Sequence, residues 1–319
     1  MSALPQPTQP LRAIDQRHLD ALEEEAMYIL REVVASFERP ALLYSAGKDS
    51  CVVLHLARKA FCRRRAGGGF EGALPLPLLH VDTGHNFPEV LEFRDREVAR
   101  HGDRLLVAHL EESIRRGSVR LQHPLESRNT HQSVALLEAV EQHALDCLVG
   151  GARRDEDKAR AKERIFSHRD AFGQWLPKEQ RAELWALFNT RLRPGEHFRS
   201  FPISNWTELD VWLYIAREGI ALPSLYYSHV REVVARDGLL VPLTALTPPR
   251  ASETVQRLHV RFRTVGDMSC TCPVPSHAAD APAVVAETLR ATHSERGATR
   301  LDDRGSRAAM EQRKLQGYF

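Results

Sequence analysis

No apolar run in this 319-residue sequence approaches the roughly 18 residues that a membrane-spanning helix needs. The first dozen residues are rich in Pro, Gln and Thr and lack the apolar core of a signal peptide, so we expect a disordered lead-in over 1–12. The five cysteines are odd in number and scattered, which argues against a disulfide framework. These absences predict a globular, cytoplasmic protein that does not act at a membrane.

An excess of positive or negative charge is also missing. Lys and Arg total 44 against 42 Asp and Glu, so the formal net charge is +2. A dedicated nucleic-acid binder should carry a clear excess of Lys and Arg, and we therefore expect no nucleic-acid partner. The hydrophobic content of 43% is enough for a packed core, and the length fits one large domain or two of ordinary size.

Apolar runs alternate with segments of helical periodicity along most of the chain. The periodic segments predict helices over 18–38, 51–61, 89–101 and 132–143. The short apolar runs predict strands over 41–44, 77–81, 104–108, 146–149 and 197–203. Thr207 and Asp210 have the form of a capping box that opens a further helix ending at Arg217. The alternation predicts an α/β fold, a doubly wound and mostly parallel sheet with helices on both faces.

Two changes in composition indicate the domain organisation. The stretch 63–69 holds three Arg and three Gly and is typical of a flexible connection. A Pro-rich stretch over 241–249 indicates a boundary. We therefore expect an α/β domain over 13–240 and a looser C-terminal region over 241–319 that could contact the site or a partner. Sheets of this class bind ligands at the carboxyl ends of their strands, so the chemistry should lie in the loops after the strands.

The segment between the first predicted strand and the second predicted helix has the composition of a phosphate-binding loop. Ser45 and Ser50 offer hydroxyls, Gly47 allows a tight turn, and Lys48 supplies a positive charge. We expect Lys48 to lie in an exposed loop. The following helix would point its N–H groups and the positive end of its dipole at the same place. The loop is not a Walker A motif, because Asp49 follows the lysine. The alternative interpretation is a helix start with ordinary capping.

An aspartate closes the next predicted strand, in the sequence Asp82-Thr83-Gly84. A carboxylate at a strand's carboxyl end can bind Mg²⁺ or a ribose hydroxyl. The alternative is an ordinary turn, for which Asp, Thr and Gly are common residues.

A dense run of charge follows the fourth strand. It begins after Gly150 and Gly151, and residues 153–164 include six basic and four acidic side chains. Such a run is usually a solvated helix with ion pairs four residues apart. Its place at a strand end also suits Arg153 and Arg154 to clamp phosphate or another oxyanion.

One further cluster could hold a metal. Cys270, Cys272 and His277 supply three possible ligands, but a structural zinc site needs four. We interpret the two cysteines as thiols without a metal.

Taken together, these segments resemble the PP-loop family of ATP pyrophosphatases and, within it, the small subunits of sulfate adenylyltransferases. The resemblance covers nearly the whole chain after the lead-in and rests on segments 43–50, 79–87, 150–156, 201–208, 261–266 and 313–319. The most specific are Gly-Gly-Ala-Arg-Arg-Asp-Glu at 150–156 and Ser-Asn-Trp-Thr-Glu at 204–208. Relatives often have Gly where Ala46 stands, and an acidic residue where Pro275 precedes Ser276.

The resemblance implies an adenine nucleotide alpha hydrolase-like fold and the adenylation of sulfate by ATP, with pyrophosphate as the second product. It implies Mg²⁺ as a cofactor and a large GTPase subunit as a partner, because forming the phosphosulfate anhydride is uphill. By the same resemblance, the ATP-binding residues are Ser45, Gly47, Lys48, Asp49, Ser50, Asp82, Thr83 and Gly151. Asp49 and Asp82 are the implied Mg²⁺ contacts. Lys48, Arg153 and Arg154 are the implied catalytic residues. The two arginines would bind sulfate or neutralise charge at the α-phosphorus, with Lys158 as a further candidate.

Two other functions compete with this hypothesis. An adenylyl-sulfate or phosphoadenylyl-sulfate reductase shares the fold, but it needs a mobile cysteine near the C-terminus. Here the last cysteine is Cys272, and the 47 residues after it contain none. The second alternative is a non-catalytic, nucleotide-binding subunit, which the altered loop 268–276 leaves open.

Overall fold

A computed structural model of the chain describes residues 13–123 and 126–291. The helices are α1 (Ala13–Ser36), α2 (Lys48–Phe61), α3 (Pro88–His101), α4 (Leu110–Arg116), α5 (Gln132–Gln142), α6 (Lys158–Ala161), α7 (Glu208–Glu218) and α8 (Ala281–Thr288). The first eight strands are β1 (Pro40–Leu43), β2 (Arg63–Arg64), β3 (Phe70–Glu71), β4 (Leu78–Asp82), β5 (Leu105–His109), β6 (Cys147–Val149), β7 (Phe166–Arg169) and β8 (His197–Ser200). The last four are β9 (His229–Arg236), β10 (Leu239–Pro242), β11 (Gln256–Arg261) and β12 (Val274–Pro275). The expected lead-in 1–12 and the segment 313–319 lie outside the described residues.

Six strands form the central sheet, in the order β5-β4-β1-β6-β8-β7. All neighbours pair in parallel except β7, which runs antiparallel to β8 at the edge. The predicted mostly parallel sheet is therefore confirmed. Strand β7 was not predicted, because it lies inside a charged segment whose composition gives no strand pattern.

Helices cover both faces of this sheet. In β1, Leu42 packs into a core shared with α1, α2 and α7, whereas Ala41 and Leu43 pack into a second core with α4 and α5. Alternate residues of a strand point to opposite faces, so this buried strand is apolar on both sides. The doubly wound arrangement is confirmed.

The order of the strands creates a switch point beside β1. The chain leaves β1 for β4 on one side and returns through β6 on the other. Crossovers that leave in opposite directions open a crevice at the carboxyl ends of the two central strands, where ligands bind in this class of fold. The loops that follow β1 and β6 therefore face each other.

The segments outside the central sheet differ in two places from the sequence predictions. The stretch expected as a flexible connection forms a small hairpin, in which β2 pairs with β3. The boundary expected after residue 240 falls inside β10, which belongs to a four-stranded sheet in the order β10-β9-β11-β12. Residues on both sides of that position share this sheet and its small core of Val234, Leu239, Val241 and Cys272.

The predicted capping box is present at the start of α7. The Thr207 hydroxyl accepts from the Asp210 N–H at 3.2 Å, and the Asp210 carboxylate accepts from the Thr207 N–H at 2.8 Å. Two N–H groups that helix geometry leaves without partners are satisfied in this way. Among the described helices, none is both long enough and apolar enough to cross a membrane.

Candidate active site

A cleft of about 210 Å³ opens at the switch point, and we call it the strand-end cleft. Its walls come from the loops after β1 and β6, from the carboxyl end of β4 and from segments much further along the chain. The side chains and backbone that line it include those of Ser45, Gly47, Asp49, Ser50, His80, Asn86, Asn129, Gln132, Gly150, Gly151, Glu156, Arg160, Phe201, Tyr226 and residues 264–266. The cleft lies where the sequence placed the ligand site.

The loop after β1 turns into α2 with its backbone facing this cleft. Gly47 is the residue before the helix and provides no side-chain cap for the first N–H groups. The loop is held by its own serines: the Ser45 hydroxyl accepts from the Gly47 N–H at 3.2 Å, and the Ser50 hydroxyl donates to the Gly47 carbonyl at 2.9 Å. A 14-residue helix thus directs the positive end of its dipole into the cleft, as a polyphosphate requires.

Lys48 is buried, and the expectation that it lies in an exposed loop is wrong. It is the first residue of α2, its N–H donates to the Tyr226 hydroxyl at 3.0 Å, and its ammonium lies 2.9 Å from the Asp49 carboxylate. Burial is possible because the neighbouring carboxylate compensates the charge. Lys48 therefore forms part of the floor below the loop.

Arg153 belongs to the same floor. Its guanidinium donates through Nη1 to the Asp49 carboxylate and through Nε to Asp155 at 3.0 Å, and the residue is 1% exposed. Two buried cations and the carboxylates of Asp49 and Asp155 thus form one ion-pair network beneath the phosphate-binding loop. The solvated-helix interpretation is wrong for this residue.

Arg154 points elsewhere. Its backbone N–H donates to the Ser204 carbonyl at 2.9 Å, and its guanidinium donates to the Asn205 side chain. Asn205 in turn donates to Glu25 of α1 at 2.9 Å. Neither Arg153 nor Arg154 lines the strand-end cleft. Their side chains bond to different partners, so the structure separates the two arginines that the sequence interpretation paired.

Gly151 brings the loop after β6 against the start of α2. A Cβ atom at this position would lie 3.0 Å from the carbonyl carbon of Asp49 and 3.1 Å from the Ser50 nitrogen. Backbone atoms cannot move aside as a flexible side chain can, so a larger residue here would have to displace the start of α2. The sequence prediction that places Gly151 at the nucleotide site agrees with this close approach, while its contact with ATP stays a prediction.

Arg160 is the arginine of the charge run that lines the cleft. It is 5% exposed, its Nη1 lies 3.4 Å from Glu163, and its Nε has no hydrogen-bond partner among the described residues. Behind it, Glu163 also pairs with the buried Arg169 at 2.6 Å. Burial and the charge of Arg169 lower the pKa of the adjacent Arg199 to about 9. Three arginines and one glutamate therefore lie together here, and Arg160 is the member of this group that lines the cleft.

Asp82 ends β4 and Thr83 follows it, and neither residue lines the cleft. The Asp82 carboxylate accepts from the Gly84 N–H at 2.8 Å and lies 3.6 Å from His109, and Thr83 is buried against Asn86.

The cleft is lined instead by His80, whose Nδ1 donates to the Tyr44 carbonyl at 2.9 Å. Burial lowers the pKa of His80 to about 4, so the imidazole is neutral.

The sequence interpretation missed several lining residues because they come from distant segments. Tyr226 lies 178 residues after Lys48, and its hydroxyl bonds to the first N–H of α2. Burial raises its pKa, so the hydroxyl keeps its proton. Asn129 lies in a short 3-10 helix and Gln132 begins α5, in a part of the sequence that shows no motif. The marker segment 261–266 was recognised, but nothing in its composition indicated that residues 264–266 return to the cleft.

All five cysteines lie in the described part of the chain and are free thiols. Cys270 and Cys272 are buried and form no disulfide. No group of three or more His, Cys, Asp or Glu side chains in the described ranges is arranged to hold a metal ion.

Comparison with known proteins decides the family. Residues 39–273 match the domain family described as phosphoadenosine phosphosulfate reductase domain. The chain is 54% identical to sulfate adenylyltransferase subunit 2 of Mycolicibacterium vanbaalenii over 319 residues, which is 100% of both chains. The chain belongs to the sulfate adenylyltransferase subunit 2 family. Another member of this family, from Streptomyces lavendulae, is 55% identical and covers 95% of this chain and 92% of its own.

The family membership agrees with the resemblance on which the site residues were predicted. A further member of the sulfate adenylyltransferase subunit 2 family, from Mycobacterium tuberculosis, is also 55% identical over 302 residues, with 95% of this chain covered. The matched domain of residues 39–273 includes every cleft-lining residue named above.

Proposed function

We propose that the chain catalyses the adenylation of sulfate by ATP, giving adenosine 5′-phosphosulfate and pyrophosphate. The observation that carries the proposal is the strand-end cleft, in which the N-terminus of α2 and the buried Arg160 face one space at the switch point. The helix end suits a polyphosphate and the arginine suits an oxyanion. Relatives that match 95% and 100% of the chain are named for this reaction.

In the proposed reaction, a sulfate oxygen attacks the α-phosphorus of ATP. The new bond joins that oxygen to phosphorus, and the bond between the α-phosphorus and the bridging oxygen breaks to release pyrophosphate. Sulfate is already a dianion, so no side chain has to remove a proton. The work of the protein is to hold two anions together and to offset their charge.

The structure suggests how the predicted residues divide this work. The loop of Ser45, Gly47 and Ser50 would hold the β- and γ-phosphates. Lys48 and Arg153 would keep this loop in place and supply positive charge from below, because both side chains are buried beneath it. We assign sulfate contact to Arg160 in preference to Arg154, which bonds to Asn205 outside the cleft. Thr83 would act only indirectly, through Asn86.

Mg²⁺ would enter with ATP and add positive charge at the phosphates. Asp49 lines the cleft, and Mg²⁺ in such sites is usually held by one or two carboxylates plus substrate phosphates. Its carboxylate already pairs with Lys48 and Arg153, so it would share its oxygens between these cations and the ion. Asp82 fits less well, since its carboxylate caps the turn at Gly84. Asp49 is therefore our proposed magnesium contact.

A large GTPase subunit is the proposed partner. The relatives are named as subunit 2, which implies at least one other subunit. The phosphosulfate anhydride stores more free energy than cleavage of ATP to pyrophosphate releases, so net synthesis needs a second source of energy. We propose the cytoplasm as the location, where buried thiols such as those of Cys51 and Cys147 stay reduced.

The direct test measures adenosine 5′-phosphosulfate formed over time, with pyrophosphatase left out. The chain alone should stall at a small amount of product. Adding the large subunit and GTP should raise the final level, and a non-hydrolysable GTP analogue should not sustain it. If the chain alone reaches the level of the mixture, the two-subunit account is wrong. If no product forms in any mixture, the non-catalytic alternative is correct.

A further inference from the structure

A second cavity, of about 350 Å³, lies along the side of α2. It is bounded by the last turn of α3, by the β2–β3 hairpin and by the residues just after α7. Tyr44 lines both this cavity and the strand-end cleft, and the remaining lining residues differ. The volume falls within the range of roughly 300–1,000 Å³ that is typical of small-molecule sites. We call it the arginine cavity.

Positive charge dominates its lining. Arg58, Arg64, Arg65 and Arg100 line it. Of the acidic residues that also line it, Glu218 is neutralised by other partners: its carboxylate lies 3.1 Å from the Lys59 ammonium and 3.0 Å from Nε of Arg217. Together with a hydrogen bond from His55, the Lys59 contact lowers the pKa of Glu218 to about 2. Glu97 is the other lining carboxylate, so the arginines remain in excess.

Arg58 gives the second, independent observation. It is 4% exposed, and its Nη2 donates to the buried carboxylate of Asp103. Its Nη1 is buried and has no hydrogen-bond partner among the described residues. A buried donor without a partner is costly, and a bound oxyanion would satisfy it. Burial and the positive charges of Arg58 and Arg100 also lower the pKa of the nearby His101.

The rest of the lining is apolar and aromatic. Leu54 and Phe93 contribute apolar surface, and Phe70 of the hairpin packs edge-on against His55 with ring centroids 5.3 Å apart. The hairpin also carries Arg64 into the lining. An inorganic anion alone would leave most of this volume unfilled. The lining therefore suits a molecule with a phosphate group and an organic body.

We propose that the arginine cavity binds an organic phosphate as a second ligand, separate from the substrates of the strand-end cleft. The phosphate lies against Arg58, Arg64 and Arg65, and the organic part lies against Phe70 and Phe93. Arginine is suited to this role because its planar fork matches phosphate oxygens. The proposal does not depend on the reaction assigned to the cleft.

Calorimetric titration with AMP as the probe tests this, on the full chain with the cleft saturated by a non-hydrolysable ATP analogue. We expect about one further AMP per chain, and adenosine, which lacks the phosphate, should not bind. The double variant R64Q/R65Q should weaken AMP binding by about tenfold or more, because hydrogen bonds to charged groups are lost. Both arginines are exposed, so the fold should persist.

R63Q is the matched control, because Arg63 lies on the same hairpin strand outside the lining and should keep AMP affinity within about twofold. The ATP analogue should bind R64Q/R65Q as it binds the unaltered chain. The proposal is overturned if no AMP binds once the cleft is filled, if adenosine binds as tightly as AMP, or if R64Q/R65Q binds AMP normally. Parallel loss of AMP and of the analogue would also overturn it, since AMP would then be entering the cleft.

Discussion

The strand-end cleft and the arginine cavity both border α2, but the cationic side chains of the two sites differ in burial and in pairing. Below the cleft, Lys48 and Arg153 are buried and already paired with Asp49 and Asp155. In the arginine cavity, Arg64 and Arg65 are exposed on a short hairpin. The cleft uses Lys48 and Arg153 to support the loop after β1, and it presents backbone N–H groups and Arg160 to its ligands. The cavity presents the cations themselves.

This difference predicts which substitutions will lower the free energy of unfolding and which will weaken ligand binding alone. A buried ion pair that loses one partner leaves an uncompensated charge in a medium of low polarity. An exposed arginine that is removed leaves nothing behind that needs a partner. Variants on the two sides of α2 should therefore separate the two effects.

The largest expected effect is that of Arg153→Met. It should lower the free energy of unfolding by about 3–5 kcal/mol, because the buried guanidinium's two charge-assisted hydrogen bonds, to the partly exposed carboxylates of Asp49 and Asp155, are lost. Arg65→Met, on the cavity side, should change stability by no more than about 1 kcal/mol. Urea unfolding of both variants measures the contrast. Equal, small losses would show that the floor of the cleft is not held by its ion pairs.

The next effect depends on pH and concerns His80. The folded chain keeps this group neutral down to about pH 4, whereas the unfolded chain binds a proton below its ordinary pKa of 6.5. Stability should therefore be fully present above about pH 6.5 and fall as the pH drops toward 4, by about 3 kcal/mol from this group. His80→Asn should remove most of that slope.

His101 of the arginine cavity is the matched control for this slope. Its pKa is lowered in the same direction, but the group is less buried. His101→Asn should flatten the pH dependence by a smaller amount, measured by unfolding at pH 7 and pH 5. An unchanged slope in His80→Asn would mean that His80 does not remain neutral in the folded chain.

A smaller effect on stability, with a larger one on ligand binding, is expected for Gly151→Ala. The added Cβ meets the backbone of Asp49 and should displace the start of α2, at a cost of about 1–3 kcal/mol. Affinity for ATP should fall by about tenfold or more, because the phosphate-binding N–H groups move with the helix. Gly67→Ala, beside the arginine cavity, is the control, since nothing lies within 4 Å of its Cβ position. Equal ATP affinity in the two variants would contradict the close approach.

The smallest expected effect is that of Ala46→Gly. Ala46 has a φ of +56° in the loop after β1, a region that costs an L-residue about 1–2 kcal/mol. Glycine would relieve this strain. The gain is opposed by the larger conformational entropy of glycine in the unfolded chain, about 0.4–1 kcal/mol, and by the loss of a buried methyl group. The unfolding free energy should change by less than about 1 kcal/mol and ATP should still bind. A loss well above that, in thermal and urea unfolding alike, would show that the methyl group packs into the loop's support.

The sequence was most informative where the determinants are local. The apolar periodicities of β1, β4, β5 and β6 and of the helices between them predicted the sheet, because a buried parallel strand is apolar on both faces. The phosphate-binding loop was predicted for the same reason, since its glycine, serines and helix start are contiguous. Residues that reach the cleft from a distance, such as Tyr226, left no contiguous pattern.

Charged segments gave the least accurate sequence predictions of burial. The run 153–164 has the composition of a solvated helix, but the structure buries Arg153 and Arg160 and exposes others. Burial of an arginine depends on which carboxylate the fold brings near it, and Asp49 lies 104 positions away from Arg153. The burial of Lys48 was also not predicted. Its partner Asp49 is adjacent in sequence, but the residues that bury its side chain are not.

The central claim is that the strand-end cleft joins sulfate to the α-phosphorus of ATP. The most direct measurement is the sulfate-dependent exchange of labelled pyrophosphate into ATP, with the chain bound to its large subunit. The account predicts exchange that requires sulfate, that persists in Gly67→Ala and that falls by about tenfold or more in Gly151→Ala at limiting ATP. Exchange that proceeds equally without sulfate, or that Gly151→Ala retains in full, would contradict it.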